Sequence, residues 1–484
     1  MRTLACLLLA AALGCAHQAP APTEAPTPKP AIATAPTPPP QADAAVAKFV
    51  SPDSKPAFEI PVDSYTLGNG LKVVLSRDTT APITTVGVYY HIGFRIEPRN
   101  RTGFAHLFEH MMFQGSENLG KLAFIQLVQR NGGILNGSTR FDFTNYYEVV
   151  PSNVLETVLW AEADRMRGLK VTQENLTNQQ GVVKSEVRVN VLNRPYGGWP
   201  WLTVPQLANK NWFNAHNFYG DLGDLDAATL QDVQQFFSTY YAPNNAVLVV
   251  SGAFDPAQVK AWISKYFDGL PRAQVPPIPD LTEPRQTEEQ WKTVDDKLAQ
   301  RPALAVAYHM PPRGSPEFWA MALLEQILVE GADSRLYQEL VQKRGLTGEV
   351  EGGSNLLGNQ FNYEGPMLWM AYLFHDPQHS SKEIVAAIDA AIEPLRQTPV
   401  DAATLDRARV KARSSYYGSL ERLYGFGRAD LLATHALFDG DAATVNLIEP
   451  SLLAVTPELI QKTAQEWLRP TNRTVVELHP AGDK

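Results

Sequence analysis

The run His106-Leu107-Phe108-Glu109-His110 constrains this chain more than any other five residues in it. On an α-helix, positions i and i+4 share one face, so both imidazoles can reach a single ion, and Glu109 lies beside them. Gly103 precedes the run and Met111-Met112-Phe113 follows it. A charged turn followed at once by three large apolar residues fits a helix crossing a packed interior better than one lying on the surface. Polar groups buried there need partners, and a metal ion serves all three. The order inverts that of the usual zinc-peptidase helix, pairing two histidine ligands with a glutamate that can take the proton of an attacking water. The competing reading is a surface helix with two solvent-facing histidines and an incidental glutamate; the apolar flanks argue against it.

A zinc site built for catalysis takes three protein ligands and leaves a fourth position open. The stretch from Asn178 to Leu192 offers a candidate for the third ligand. Val182, Val183, Val187 and Val191 fall at helical spacing, and Glu186 sits among them. An acid flanked by valines needs a reason to be there; a surface Glu pairing with Lys or Arg is the alternative.

With these residues in view, the chain resembles the pitrilysin/insulinase family of zinc metallopeptidases, whose pattern is H-x-x-E-H with a distal Glu. Tyr65-Thr-Leu-Gly-Asn-Gly-Leu-Lys-Val-Val74 looks like the family's opening strand, and the run from Gly132 to Tyr147 looks like its substrate-edge strand. Asn193-Arg-Pro-Tyr-Gly197 and the run from Tyr241 to Val250 match further signatures. The resemblance implies one zinc ion per chain, held by His106, His110 and Glu186, with Glu109 as general base. Asn136 on the edge strand is a candidate to orient a peptide that adds to the sheet as an extra strand. A turn-forming Asn in Asn136-Gly137 is the other reading of that residue.

The first residues carry a different message. Arg2, an apolar stretch from Leu4 to Leu13 and then Gly14-Cys15 read as an export signal. Its apolar part is too short to span a bilayer as a permanent helix. The Gly-Cys ending looks like a bacterial lipoprotein cleavage box, with Cys15 carrying lipid; an ordinary secretory signal cut nearby is the alternative. The expected location is exported and lipid-anchored, at the outer membrane and facing the periplasm. Residues 16–56, rich in Ala, Pro, Thr and Gln, cannot bury a core and are expected to form a disordered tether. Of the 2 cysteines, Cys6 leaves with the signal, so no disulfide can form and stability must come from packing; 44% hydrophobic content supplies it. A net charge of −9 argues against nucleic acid or an anionic membrane surface as a partner.

A Pro-rich stretch at 271–285 separates residues 57–270 from 286–484, and the two parts look like diverged copies. Val86-Gly-Val-Tyr-Tyr-His91 precedes the motif helix, as Leu304-Ala-Val-Ala-Tyr-His309 precedes Phe318 to Leu328. The second copy has Ala322-Leu-Leu-Glu-Gln326 where the first has the motif, so it cannot build the same site. His309, His375, His379 and His435 lack ligand spacing and read as structural or surface residues. The resemblance implies an α+β fold of the mitochondrial-processing-peptidase type: two homologous domains, each a mixed sheet with packed helices, forming half of a clamshell.

One departure from the family stands out. Complete members carry an Arg and, seven residues later, a Tyr in the second repeat, which hold substrate and stabilise the oxyanion. Val341 stands in place of that Arg and Gly348 in place of that Tyr. Arg344 is near but points elsewhere on a helix. The sequence therefore leads to a zinc endopeptidase subunit acting on peptides or unfolded segments, with a homologous partner that lacks H-x-x-E-H but supplies the Arg/Tyr pair. The alternatives are a non-catalytic peptide-binding or assembly subunit and, behind it, a metal-sequestering or sensing protein.

Overall fold

A computed structural model describes residues 49–50 and 55–480. Its frame is two mixed sheets that share a five-strand topology, the first carrying one strand more, β1 (Asp63–Thr66). The first, in spatial order β1-β2-β6-β3-β5-β4, comprises Asp63–Thr66, Lys72–Arg77, Ala246–Gly252, Ile83–Tyr90, Thr144–Pro151 and Ile134–Thr139. The second, in order β7-β11-β8-β10-β9, comprises Gln290–Asp296, Arg473–Pro480, Ala303–His309, Leu368–Phe374 and Glu351–Ser354. In each, one pair is parallel (β2 with β6, β7 with β11) and the others run antiparallel. Hence β9 occupies in the second sheet the outer position that β4 holds in the first. The helices that matter here are α1 (Phe104–Met111), α2 (Leu155–Arg167), α3 (Gln173–Val187), α4 (Thr203–Ala208), α5 (Pro316–Leu328), α6 (Ala402–Leu420) and α7 (Arg422–Phe438).

Period-2 alternation sends one set of strand side chains to each face of a sheet. On one face of the first sheet, Leu71, Val73, Val86, Val88 and Tyr90 pack with Leu107 and Phe108 of α1 and with Val158 and Leu159 of α2. On the other face, Val74, Tyr89, Val247 and Val249 belong to the core of the second half. There α7 covers them: the Tyr89 hydroxyl donates to Asp430 at 2.9 Å and Lys72 Nζ to the Ala436 carbonyl at 3.0 Å. The exchange is reciprocal. Ala303, Ala305, Ala307, Met370 and Val476 of the second sheet are covered by Trp199, Val204 and Ala208 of the first half. The three small alanines let that segment come close.

A fully buried ion pair adds to this joint. Arg95 and Asp142 meet at 3.0 Å, the guanidinium donates to the Pro366 carbonyl, and Asp142 accepts from the backbone N–H of Glu364 at 2.7 Å. Before the first strand, Val50 is buried, and Ile60 N–H donates to Asn446 in the second half at 2.8 Å. Cys15 and the tether up to residue 48 lie outside the described residues, as do 51–54. Among the described residues no helix is long and apolar enough to cross a membrane.

With each sheet covered by the other half, neither half buries its own surface alone. Heating the full chain is expected to give one cooperative calorimetric transition; two transitions assignable to residues before and after the 271–285 stretch would contradict this.

Candidate metal centre

Helix α1 has no side chain capping its first turn. Glu97 does that work from outside: its buried carboxylate accepts from the backbone N–H of Gly103 and of Ala105. Gly103 starts the helix at φ +81°, and a Cβ there would stand 2.5 Å from the Tyr219 carbonyl oxygen. Only glycine fits both conditions. Farther along, the Tyr146 hydroxyl of β5 donates to the Phe108 carbonyl at 3.0 Å. The position of the motif is thus set by its neighbours.

Glu186, in the last turn of α3, faces the two histidines. Its oxygens lie 3.6 Å from His106 Nε2 and 3.3 Å from His110 Nε2, and the three ligand-capable atoms all fall within 4.8 Å of one another. Atoms that each sit about 2 Å from a common ion are separated by comparable distances. Among the described residues this is the one group of three or more such side chains. The donor chemistry fits a divalent metal. Burial, aided by the His110 ring, lowers the His106 pKa to about 4, so the imidazole is neutral with a lone pair free. The hydrogen bond with His110 leads the groups that hold the Glu186 carboxyl below its usual range, against burial. The centre is closed on one side and open on the other, since the side chain of His106 is 5% exposed and that of Glu186 30%.

Glu109 points to the sheet, where its carboxylate accepts from the Thr139 hydroxyl of β4 at 2.8 Å. Gly137 lets it approach: a Cβ there would stand 3.2 Å from Glu109 Cγ. Burial raises the Glu109 pKa, opposed by the Thr139 hydrogen bond. Asn136 is exposed on the same strand and lies within it, not in a turn; its side-chain oxygen accepts from the Gly137 N–H at 3.0 Å. As the last strand of its sheet, β4 leaves one edge open beside the centre.

Three further residues belong to this site and do not stand out in the sequence: Glu97, Thr139 and Tyr219. The Tyr219 hydroxyl hydrogen-bonds Glu186, its ring packs 5.1 Å from that of His106, and burial with the Glu186 charge pushes its pKa up to about 12. Thr139 shares a strand face with Gly137, a signal that period-2 counting could have used. No local pattern marks Glu97 or Tyr219.

The second half repeats the arrangement without the ligands. Glu325 of α5 accepts from the Ser354 backbone N–H and hydroxyl of β9 at 2.7 and 3.1 Å, as Glu109 accepts from Thr139. Ala322 and Gln326 replace the histidines. Val341 is half-buried, Gly348 is exposed, and Arg344 pairs with Glu339 at 2.6 Å. No other histidine joins a metal-capable group among the described residues; His435, for one, is bonded to the Leu431 carbonyl.

Comparison with known proteins gives a consistent picture. Residues 72–195 match the sequence model of "Insulinase (Peptidase family M16)" and residues 227–411 that of "Peptidase M16 inactive domain". The chain is 26% identical over 429 residues to the zinc protease PqqE of Helicobacter pylori, covering 86% of this chain and 93% of that one. A crystal structure of a protease from Helicobacter pylori superposes with a TM-score of 0.80 at 26% identity, over 87% of this chain and 100% of the other. The periplasmic protease PqqL of Escherichia coli superposes with a TM-score of 0.69 at 17% identity, sharing the fold; 88% of this chain matches 48% of that longer one.

Burial lifts the Glu325 pKa to about 7, so the folded chain keeps this carboxyl protonated while the unfolded chain ionises near 4.5. The stability it contributes is full below that lower value and is lost as pH rises toward 7. Glu325→Gln is therefore expected to melt with the parent at pH 4 and above it at pH 8; equal melting temperatures at pH 8 would contradict the assignment.

Proposed function

This chain belongs to the insulinase family of peptidases (family M16), and on that premise we propose that it is the metal-bearing subunit of a zinc endopeptidase acting on peptides or unfolded segments. The observation that carries the reading is Glu109, held by Thr139 beside the His106–His110–Glu186 cluster and next to an open strand edge. Glu325 is tied to its strand in the same way in a half without ligands, so what sets Glu109 apart is the cluster of metal-capable side chains beside it.

His106, His110 and Glu186 would hold the ion, one per chain. When bound, zinc supplies Lewis acidity to the scissile carbonyl and to the attacking water. A peptide pairs with the free edge of β4 through main-chain hydrogen bonds, with Asn136 orienting it. Glu109 takes a proton from the attacking water and returns it to the departing amine; the raised pKa that burial gives it suits a group that must hold a proton in between. Tyr219 keeps Glu186 in place as a ligand.

Stabilisation of the oxyanion comes from elsewhere. Val341 offers no side-chain donor, Gly348 has no side chain, and Arg344 is engaged by Glu339. A homodimer would repeat the gap, whereas a homologous partner with an Arg/Tyr pair would close it. The longer chain of PqqL is matched here over 48% of its length, which is compatible with a partner subunit for this chain. The match of residues 227–411 to an inactive domain agrees with a second half that binds no metal. Export and lipid attachment through Cys15 complete the proposal, on the strength of the Gly14-Cys15 signal.

Alone, the purified chain is expected to hold zinc yet cleave peptides slowly. Adding the partner should raise the rate about a hundred- to a thousandfold, the worth of one oxyanion donor. In that complex, Glu109→Gln should retain zinc and lose two to four orders of magnitude, roughly the contribution of a general base. Full activity from the lone chain, or an undiminished Glu109→Gln complex, would contradict the proposal.

A further inference from the structure

Beyond the centre, the backbone is most unusual where α6 gives way to α7. Leu423, Tyr424 and Gly425 lie in succession in the left-handed region, at φ 51°, 57° and 94°. Glycine adopts this conformation freely; leucine and tyrosine do so against steric cost. Both also hold large apolar side chains out to solvent, Tyr424 at 72% exposed and Leu423 at 42%. Neither feature helps the fold. Such bends persist where the exposed groups have a use.

The bend sits beside the edge strand. Two residues on from Tyr424, Phe426 stacks on Tyr147 with ring centroids 3.7 Å apart, and Arg422 is near enough to act on the Tyr147 hydroxyl. Tyr147 of β5 pairs directly with Asn136 of β4, so their side chains share a face. Exposed Ile134, two residues from Asn136, lies on that face as well. Gly137 and Thr139 lie on the opposite one, against Glu109.

A peptide added along β4 sends alternate side chains to the two faces. One set turns toward Glu109 and the ligand cluster. The other set turns toward Ile134, Asn136 and the bend. We infer that Leu423 and Tyr424 grip this second set, so that the chain selects peptides with bulky apolar side chains at every second position. The inference rests on the edge-pairing described under the proposed function and names the peptide class it favours.

The test uses the full chain carrying Glu109→Gln, so that bound peptide stays intact. Two fluorescein-labelled 12-residue peptides serve as probes, one alternating Leu or Phe with Ser and one with Ser and Thr throughout. Anisotropy titrations compare this chain with the same chain carrying Leu423→Gly and Tyr424→Gly. Because glycine relieves the strain, the variant is expected to melt higher, which shows that it folds. Its affinity for the apolar peptide should fall about tenfold, the scale of one lost buried side chain, with weak binding of the polar peptide unchanged. If the variant binds the apolar peptide as well as its parent does, and Asn136→Pro abolishes that binding, the grip is refuted while edge-pairing stands. If the parent binds neither peptide, both fall together.

Discussion

An eight-residue helix cannot hold itself together in water, yet three reactive side chains ride on α1. What fixes it is a single buried carboxylate. Glu97 accepts from the backbone N–H of Gly103 and Ala105 and so satisfies the buried first turn of the helix, while Tyr146 holds the Phe108 carbonyl from the sheet side. Burial raises the Glu97 pKa, and the bonds to His216 and to those two backbone N–H groups oppose the rise. His106, Glu109 and His110 take their directions from this arrangement, and α3 can then bring Glu186 to them.

The duplication of the fold isolates what the centre requires. Both halves place a glutamate on the helix that packs behind the outer strand, and both tie it to a hydroxyl of that strand. Only the first half adds two histidines and a facing acid. Carboxylate and hydroxyl are thus part of the shared frame, and the metal ligands are the local addition. In the second half Gln326 stands in place of a histidine, and burial raises the pKa of the corresponding carboxyl, Glu325, to about 7.

Short-range features were legible in the chain. The four-residue spacing of His106 and His110 gives a helix, and the valines around Glu186 give another; the structure brings all three residues together. The alternation in Val86–His91 and Leu304–His309 gives β3 and β8. Long-range features were not legible. That α7 covers the first sheet and the segment around Val204 covers the second depends on contacts between residues far apart in the chain. Nothing near Glu97 or Tyr219 reveals that each faces the motif, because each is placed by the path of a loop. The left-handed bend at Leu423–Tyr424 runs against propensity, so a reading by propensity passes over it.

The chemistry proposed for the centre requires one ion among His106, His110 and Glu186. Anomalous diffraction recorded on either side of the zinc absorption edge, from crystals of the full chain grown with zinc, decides this most directly. The expected result is one peak per chain, about 2 Å from Nε2 of each histidine and from a Glu186 oxygen. A map without a peak there, or with its strongest peak at other residues, would contradict the account.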